Sequence, residues 1–324
     1  MNGKTASSAL ALPPNSDGVT LCLAELLYYK NQAVKWLPPA QSVWSQLNGN
    51  HTSRQKGRGM NFSEVRQYQP GDDIRSIDWR VTARTGKAHT KLFSEEKEQP
   101  VMLFIDLSPS MLFGSQLLLK SVQAAHFASL LSWLTVREKD RVGAIIYTGN
   151  KLIECKPTAR QQGPLRLINA LIQAHDAVQS PQADADTTEQ SDFGFTHALK
   201  NLLHLCPKGS EIVMISDFYD LRIEDKTLLS QLRQHNRVQF VQISDPLEQG
   251  QTGFRGLENV SDSKRSAWLD FSAKKTRTAL LHHYQLHQQF IMTMAQQLGV
   301  PIHSLSAALP LLTQLGDKEK RRGQ

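Results

Sequence analysis

The sequence predicts an α/β protein: a doubly wound, mostly parallel sheet flanked by helices, accompanied by a small β-rich unit. Three observations predict it. Short apolar runs at 101–106, 142–147, 211–217 and 238–244 are too continuous for half-exposed strands and suit strands buried on both faces. Between them, residues 117–134, 164–174, 196–205 and 225–235 repeat apolar positions at helical spacing, so strand and helix alternate. Residues 51–100 differ in character, being rich in Gly, Arg and Asp with short alternating apolar pieces.

Taken in order, residues 21–36 form one helix, with Leu23, Leu26, Leu27, Val34 and Leu37 around polar Lys30, Asn31 and Gln32, ended by Pro38-Pro39. Phe62, Val65 and Tyr68, then Ile74, Ile77 and Trp79, mark a strand-and-turn unit, with Pro70-Gly71-Asp72-Asp73 as its turn. After the alternating region come a long helix over 273–298 and a last strand over 301–305. The Gln-, Asp- and Thr-rich stretch 179–191 reads as a loop on the ligand side of the sheet. The expected divisions are a helical extension (1–48), the β-rich unit (49–100), the sheet domain (101–310) and a mobile basic tail (311–324).

With 324 residues, 40% hydrophobic and 21% charged, the composition is that of a globular protein. The most apolar helical stretch, 117–136, is broken by Lys120, Gln123 and His126, which excludes a bilayer span there. The start of the chain is too weakly apolar for a signal peptide, so the expected location is the cytoplasm without membrane insertion. Cys22, Cys155 and Cys206 are far apart in apolar surroundings and read as buried reduced thiols. The net charge of +7 concentrates in residues 54–91 and in Lys318-Glu319-Lys320-Arg321-Arg322. The latter reads as a solvated tail, with an acidic partner or nucleic acid as the sharper alternative.

The chemistry concentrates after the first buried run. Asp106, Ser108 and Ser110 follow Val101-Met102-Leu103-Phe104-Ile105, so one carboxylate and two hydroxyls leave the carboxyl edge of the sheet on one loop. Hard oxygen donors suit Mg²⁺ better than Zn²⁺. The plainer alternative is a turn with Asp106 as a helix cap. A hard cation needs further oxygens from neighbouring loops, and two stand where they are required. Thr196 lies at the start of a helix, and Asp217 leaves the run Ile212-Val213-Met214-Ile215 as Asp106 leaves its own. Each has a simple capping role as its alternative.

In that order, Asp106, Ser108, Ser110, Thr196 and Asp217 resemble the metal-ion-dependent adhesion site of von Willebrand factor A domains, whose matching residues hold one divalent cation directly or through water. Upstream, Gly59-Met60-Asn61-Phe62-x-Glu64-x-Arg66-x-Tyr68-x-Pro70-Gly71-Asp72-Asp73-Ile74-Arg75-x-Ile77-Asp78-Trp79, then Thr82-Ala83-Arg84, resembles the signature of the domain of unknown function 58 family. With Asp140-Arg141-Val142-Gly143 and Ser216-Asp217-Phe218, the resemblance covers residues 45–245. It implies a von Willebrand A-like, non-enzymatic accessory protein working beside a MoxR-type AAA+ ATPase in assembly or maturation of client proteins. Relatives with two transmembrane helices ahead of the signature exist, and the resemblance is to the shorter soluble branch. One departure is local: von Willebrand A domains usually carry Thr-Asp-Gly where this chain has Ser216-Asp217-Phe218.

From the chemistry, the cation would be Mg²⁺, with Mn²⁺ or Ca²⁺ as alternatives, and a partner's Asp or Glu would supply the sixth ligand. No catalytic residue is expected. A hydrolase or nuclease would need a positioned base beside Asp106 and Asp217, and none is evident. His283 and His287 have helical spacing, but Tyr284-Gln285-Leu286 between them lacks the Glu of a zinc protease, and no Gly-x-x-x-x-Gly-Lys-Ser/Thr is present. Arg54, Lys56, Arg58, Arg66, Arg75, Arg80, Arg84 and Lys87 interleave with Phe62, Tyr68 and Trp79 in a pattern that can bind single-stranded nucleic acid. Glu64, Asp72, Asp73 and Asp78 favour instead a self-paired network, with Trp79 anchoring the unit to the sheet domain. Arg66, Arg75, Trp79 and Arg84 are the candidate docking residues there.

Overall fold

Helix α1, Leu23–Lys35, begins with half of a capping box: Glu25 Oε1 accepts from the Cys22 backbone N–H at 2.7 Å. The computed structural model describes residues 12–35, 61–94, 100–180, 194–250, 254–261 and 266–320. Residues 48–98 form one unit and the rest of the chain another. In the smaller unit, β1 (Asn61–Gln67) pairs antiparallel with β2 (His89–Ser94), separated by a 3-10 turn, Ile74–Ser76, and the short helix α2, Trp79–Thr85. Aspartates start both turns: Asp73 accepts from Arg75 N–H, and Asp78 from Arg80 and Val81 N–H. Gly86, at φ 70°, ends α2 in the left-handed conformation that glycine adopts without steric cost.

The larger unit continues with β3 (Val101–Asp106), α3 (Lys120–Arg137), β4 (Val142–Tyr147), β5 (Leu152–Thr158), α4 (Gln162–Gln179), α5 (Phe195–Leu205), β6 (Glu211–Ser216), α6 (Lys226–His235) and β7 (Arg237–Ser244). After β8 (Leu257–Ser261) and β9 (Ser266–Asp270), α7 (Lys274–Leu298), β10 (Ile302–Ser306) and α8 (Leu311–Lys320) complete it. Six strands form one sheet in the order β10-β7-β6-β3-β4-β5, parallel throughout except for the β4–β5 pair. Every residue of β3, β4 and β6 is buried, as their unbroken apolar runs require. Alternation divides β3 between two layers. Val101, Leu103 and Ile105 join the core with α1, α3, α4 and α8, while Met102 and Phe104 join that of α5, α6 and α7.

Three expectations change. Helix α1 is no appendage: Leu26 and Tyr29 are buried in the core, Ser129 Oγ donates to Leu26 O at 2.8 Å, and Arg137 donates to Ala33 O at 2.6 Å. The tail expected to be mobile from 311 is helical through Lys320, with Leu311 and Leu315 buried; residues 321–324 lie outside the described residues. Apolar anchors at helical spacing outweighed the charge that follows them. Of the thiols, Cys206 is buried but Cys22 and Cys155 are half-buried, and all three are free. Strand β5 and the separate β8–β9 hairpin were not legible, because their residues are half-buried or exposed and β5 carries Pro157, which an edge strand tolerates. The loop expected over 179–191 lies beyond Ser180 outside the described residues.

Buried Glu211, first residue of β6, accepts from Gln239 Nε2 at 2.6 Å. Burial pushes its carboxyl up to about 7, with Asp140 adding to the rise and Arg237 opposing it. A carboxyl raised by folding favours the folded state while protonated. Its contribution is therefore complete below the unfolded value near 4.5 and is lost as pH rises to about 7, roughly 3 kcal/mol in all. Glu211→Gln should flatten the pH dependence of urea unfolding across that window; an unchanged slope would assign it to other groups.

Candidate cation site at the switch point of the sheet

From β3 the chain winds toward β4 and β5, then returns to the other side of β3 for β6, β7 and β10. The β3 and β6 carboxyl ends thus flank the crevice where doubly wound sheets bind ligands. Ile105 pairs with Ile215, which sets the next residues, Asp106 and Ser216, side by side. Asp106 is completely buried; Oδ1 accepts from Ser108 N–H at 2.9 Å and Oδ2 accepts from Ser216 Oγ at 2.5 Å. Burial, reinforced by the charge of Asp217, pushes the Asp106 carboxyl up to about 7 despite these hydrogen bonds. Ser108 then leads into the 3-10 turn Pro109–Met111, which folds Ser110 back so that the two Oγ atoms lie 3.2 Å apart.

Asp217 follows Ser216, and the residue after it holds an unusual backbone. Phe218 has φ 62°, the left-handed region that a glycine at this position would enter freely. Its N–H donates to Ser216 Oγ at 2.8 Å, and its fully buried ring packs on Phe240 with centroids 4.8 Å apart. Those contacts offset a strain of roughly 1–3 kcal/mol. The loop therefore keeps a glycine-like turn although its sequence departs from Thr-Asp-Gly.

The Asp217 carboxylate is already engaged. Oδ1 accepts from Tyr219 N–H at 3.1 Å, and Oδ2 accepts from Lys120 Nζ at 2.8 Å. The same ammonium, only 1% exposed, donates to Glu248 Oε1 at 2.5 Å and lies 5.5 Å from the centre of the Tyr219 ring. Burial acts to lower the Lys120 pKa, but Asp217 and Glu248 together overcome it and hold the group protonated, above the usual lysine range. Tyr219 stacks on His287 at 3.9 Å, and His287 Nε2 donates to Asp217 O at 2.9 Å; burial pushes the His287 pKa down. Ser115 N–H and Oγ both bond Asp245, which ties the loop after β3 to the loop after β7.

Of the five candidate ligands, Asp106, Ser108 and Ser110 stand together and Asp217 lies close enough to perturb Asp106 electrostatically. Thr196, on the first turn of α5, donates its hydroxyl to Asp225 Oδ1 at 2.6 Å, which ties α5 to the segment before α6. The donor set fits a hard cation in part. Two oxygens at right angles around Mg²⁺, each about 2.1 Å from it, sit about 3.0 Å apart, close to the separation of the serine hydroxyls. Among the described residues no three His, Cys, Asp or Glu side chains are arranged as metal ligands, so any cation here depends on hydroxyls. Lys120, Glu248 and Tyr219 were missed by sequence reasoning, while Ser216 entered only within a family motif and His287 only as half of a helical pair. The one signal available was a lysine inside the apolar stretch 117–136.

In the smaller unit, Arg66 pairs with Asp72 at 2.6 Å and Lys91 with Asp78 at 3.4 Å, as a self-paired network requires. Trp79 is the first residue of α2, directly after the Asp78 cap. Arg75 is the middle residue of the 3-10 turn and Arg84 lies in the last turn of α2. Arg54, Lys56 and Arg58 lie outside the described residues.

A mixed, mostly parallel six-stranded sheet covered by helices, with hydroxyls and carboxylates at its switch point, defines an α/β protein. The chain belongs to the family described as protein of unknown function DUF58, whose model matches residues 64–289. Uncharacterized proteins of Mycobacterium bovis and of two Mycobacterium tuberculosis strains are 36% identical to it over 109 residues, 34% of this chain and 34% of each relative. The chain thus spans about a third of the length of the curated relatives it matches. The crystal structure of a conserved hypothetical protein BatB from Bacteroides thetaiotaomicron is similar with a TM-score of 0.38 and 12% identity, over 69% of this chain and 99% of that one. Among the described residues no helix is long and apolar enough to cross a membrane.

Proposed function

We propose that this chain is a non-enzymatic, von Willebrand A-like protein-binding module that captures an acidic side chain of its partner through a divalent cation at the switch point of the sheet. The observation that carries this reading is the paired arrangement of Ser108 Oγ and Ser110 Oγ, 3.2 Å apart, beside the buried carboxylate of Asp106. Asp106 supplies charge, Ser108 and Ser110 supply adjacent hydroxyl donors, and Thr196 and Asp217 are the outer members of the set. The cation is Mg²⁺ by donor hardness, with Mn²⁺ or Ca²⁺ able to replace it. When bound, it offers a coordination position to an incoming carboxylate.

Asp106, Ser108 and Ser110 are linked by hydrogen bonds to one another, and the reading assigns the set to binding and not to bond cleavage. The partner is proposed to be a MoxR-type AAA+ ATPase with a client protein, the chain serving as a cytoplasmic adaptor in assembly or maturation. Purified chain and ATPase should associate in Mg²⁺ and separate in chelator. Equal association in chelator would remove the cation from the mechanism and turn attention to Arg66, Arg75, Trp79 and Arg84 as the docking surface.

A further inference from the structure

We infer that Lys120 is a built-in cation that takes the charge of Asp217 and thereby sets how weakly the switch point holds a divalent ion. The inference rests on the cation-binding reading above. Lys120 is the first residue of α3, and the Ser115–Asp245 bonds fix the loop before it. Its ammonium is buried between Asp217 Oδ2 at 2.8 Å and Glu248 Oε1 at 2.5 Å, where a cation drawing on both carboxylates would have to sit. Asp245 N–H bonds the second Glu248 oxygen at 3.1 Å, so that carboxylate is oriented on the ammonium and not on solvent.

A divalent ion beside Asp106 gains little from Asp217 while this ammonium is in place. It also meets a positive charge with no water between that charge and Asp217. Like charges repel strongly in a low-dielectric site, so one fixed ammonium is enough to lower divalent affinity by about an order of magnitude or more. Asp106, Ser108 and Ser110 then hold the ion with one carboxylate, which leaves it undersatisfied until a partner's carboxylate arrives. Lys120 therefore makes cation and acidic partner bind together and keeps the cation loosely held when no partner is present.

Mn²⁺ titration followed by electron paramagnetic resonance tests this on the full chain. Lys120→Met exposes two buried carboxylates to each other, so Lys120→Met/Glu248→Gln is paired with it to keep the fold when the single variant fails. The expected result is Mn²⁺ affinity at least about tenfold above wild type in the double variant, lost again on adding Asp217→Asn. Saturating Mn²⁺ should then raise its thermal midpoint by about 2–4 °C more than it raises that of wild type, reversed by chelator. Equal affinities in wild type and double variant overturn the role of Lys120. If wild type binds Mn²⁺ and Asp106→Asn abolishes it while the Lys120 variants change nothing, the cation-binding reading stands and this inference falls. Mn²⁺ binding by the double variant alone upholds the role of Lys120 and overturns cation binding by the wild-type chain, and binding by neither overturns both.

Discussion

Glu25→Ala should lower the unfolding free energy by about 3–5 kcal/mol, the largest loss expected from a single substitution outside the switch point. Glu25 is completely buried and does two things. Oε1 accepts from Cys22 N–H at 2.7 Å to start α1, and Oε2 lies 3.2 Å from His126 Nε2 in the middle of α3. The other ring nitrogen of His126, Nδ1, has no hydrogen-bond partner among the described residues. Removing Glu25 therefore leaves the whole imidazole unsatisfied inside the core, with a cavity and an uncapped helix beside it. Urea unfolding measures the loss. Glu25→Ala/His126→Leu should lose less than the two single variants summed, because the orphaned ring is gone. A loss below about 1 kcal/mol in Glu25→Ala would show that α1 is held by apolar packing alone.

Asp106→Asn should reduce divalent-ion affinity by more than about 100-fold while changing stability by no more than about 1 kcal/mol. The amide keeps the shape of the carboxylate, its oxygen can still accept from Ser108 N–H, and Ser216 can reverse its hydroxyl to accept from the new NH₂. What disappears is the charge of the carboxylate that does not contact Lys120. Divalent-dependent association with the partner should vanish with it. Calorimetric titration with Mn²⁺ and a partner-binding assay in Mg²⁺ check the two halves separately. Retained affinity in a folded variant would place the cation elsewhere.

Local pattern carried the first part of the candidate site. Asp106, Ser108 and Ser110 are legible because one buried strand delivers them and one short turn spaces them, so residue type and order suffice. The backbone after Asp217 was half legible. The sequence shows Phe218 where von Willebrand A domains carry glycine, and the structure gives it a glycine-like backbone held by the Phe240 ring and the Ser216 hydroxyl. Lys120 was not legible. In the sequence it is a polar break in an apolar stretch, while its partners lie 97 and 128 residues further along. Thr196 shows another limit: its hydroxyl donates to Asp225, 29 residues on, a partner that nothing in the local sequence indicates.

By itself the sequence determined the alternation of strand and helix, the buried central strands and the loop that bears Asp106. Each of those follows from interactions within a few residues, namely apolar periodicity, capping and turn chemistry. The tertiary structure alone decided that α1 and α8 belong to the core, that β5 closes the sheet antiparallel, and that a lysine lies where the carboxylates of two loops converge. Those outcomes depend on which distant groups come to share low-dielectric space. Burial makes an unmatched charge there too costly to leave alone, and the side chain that meets it can come from anywhere along the chain.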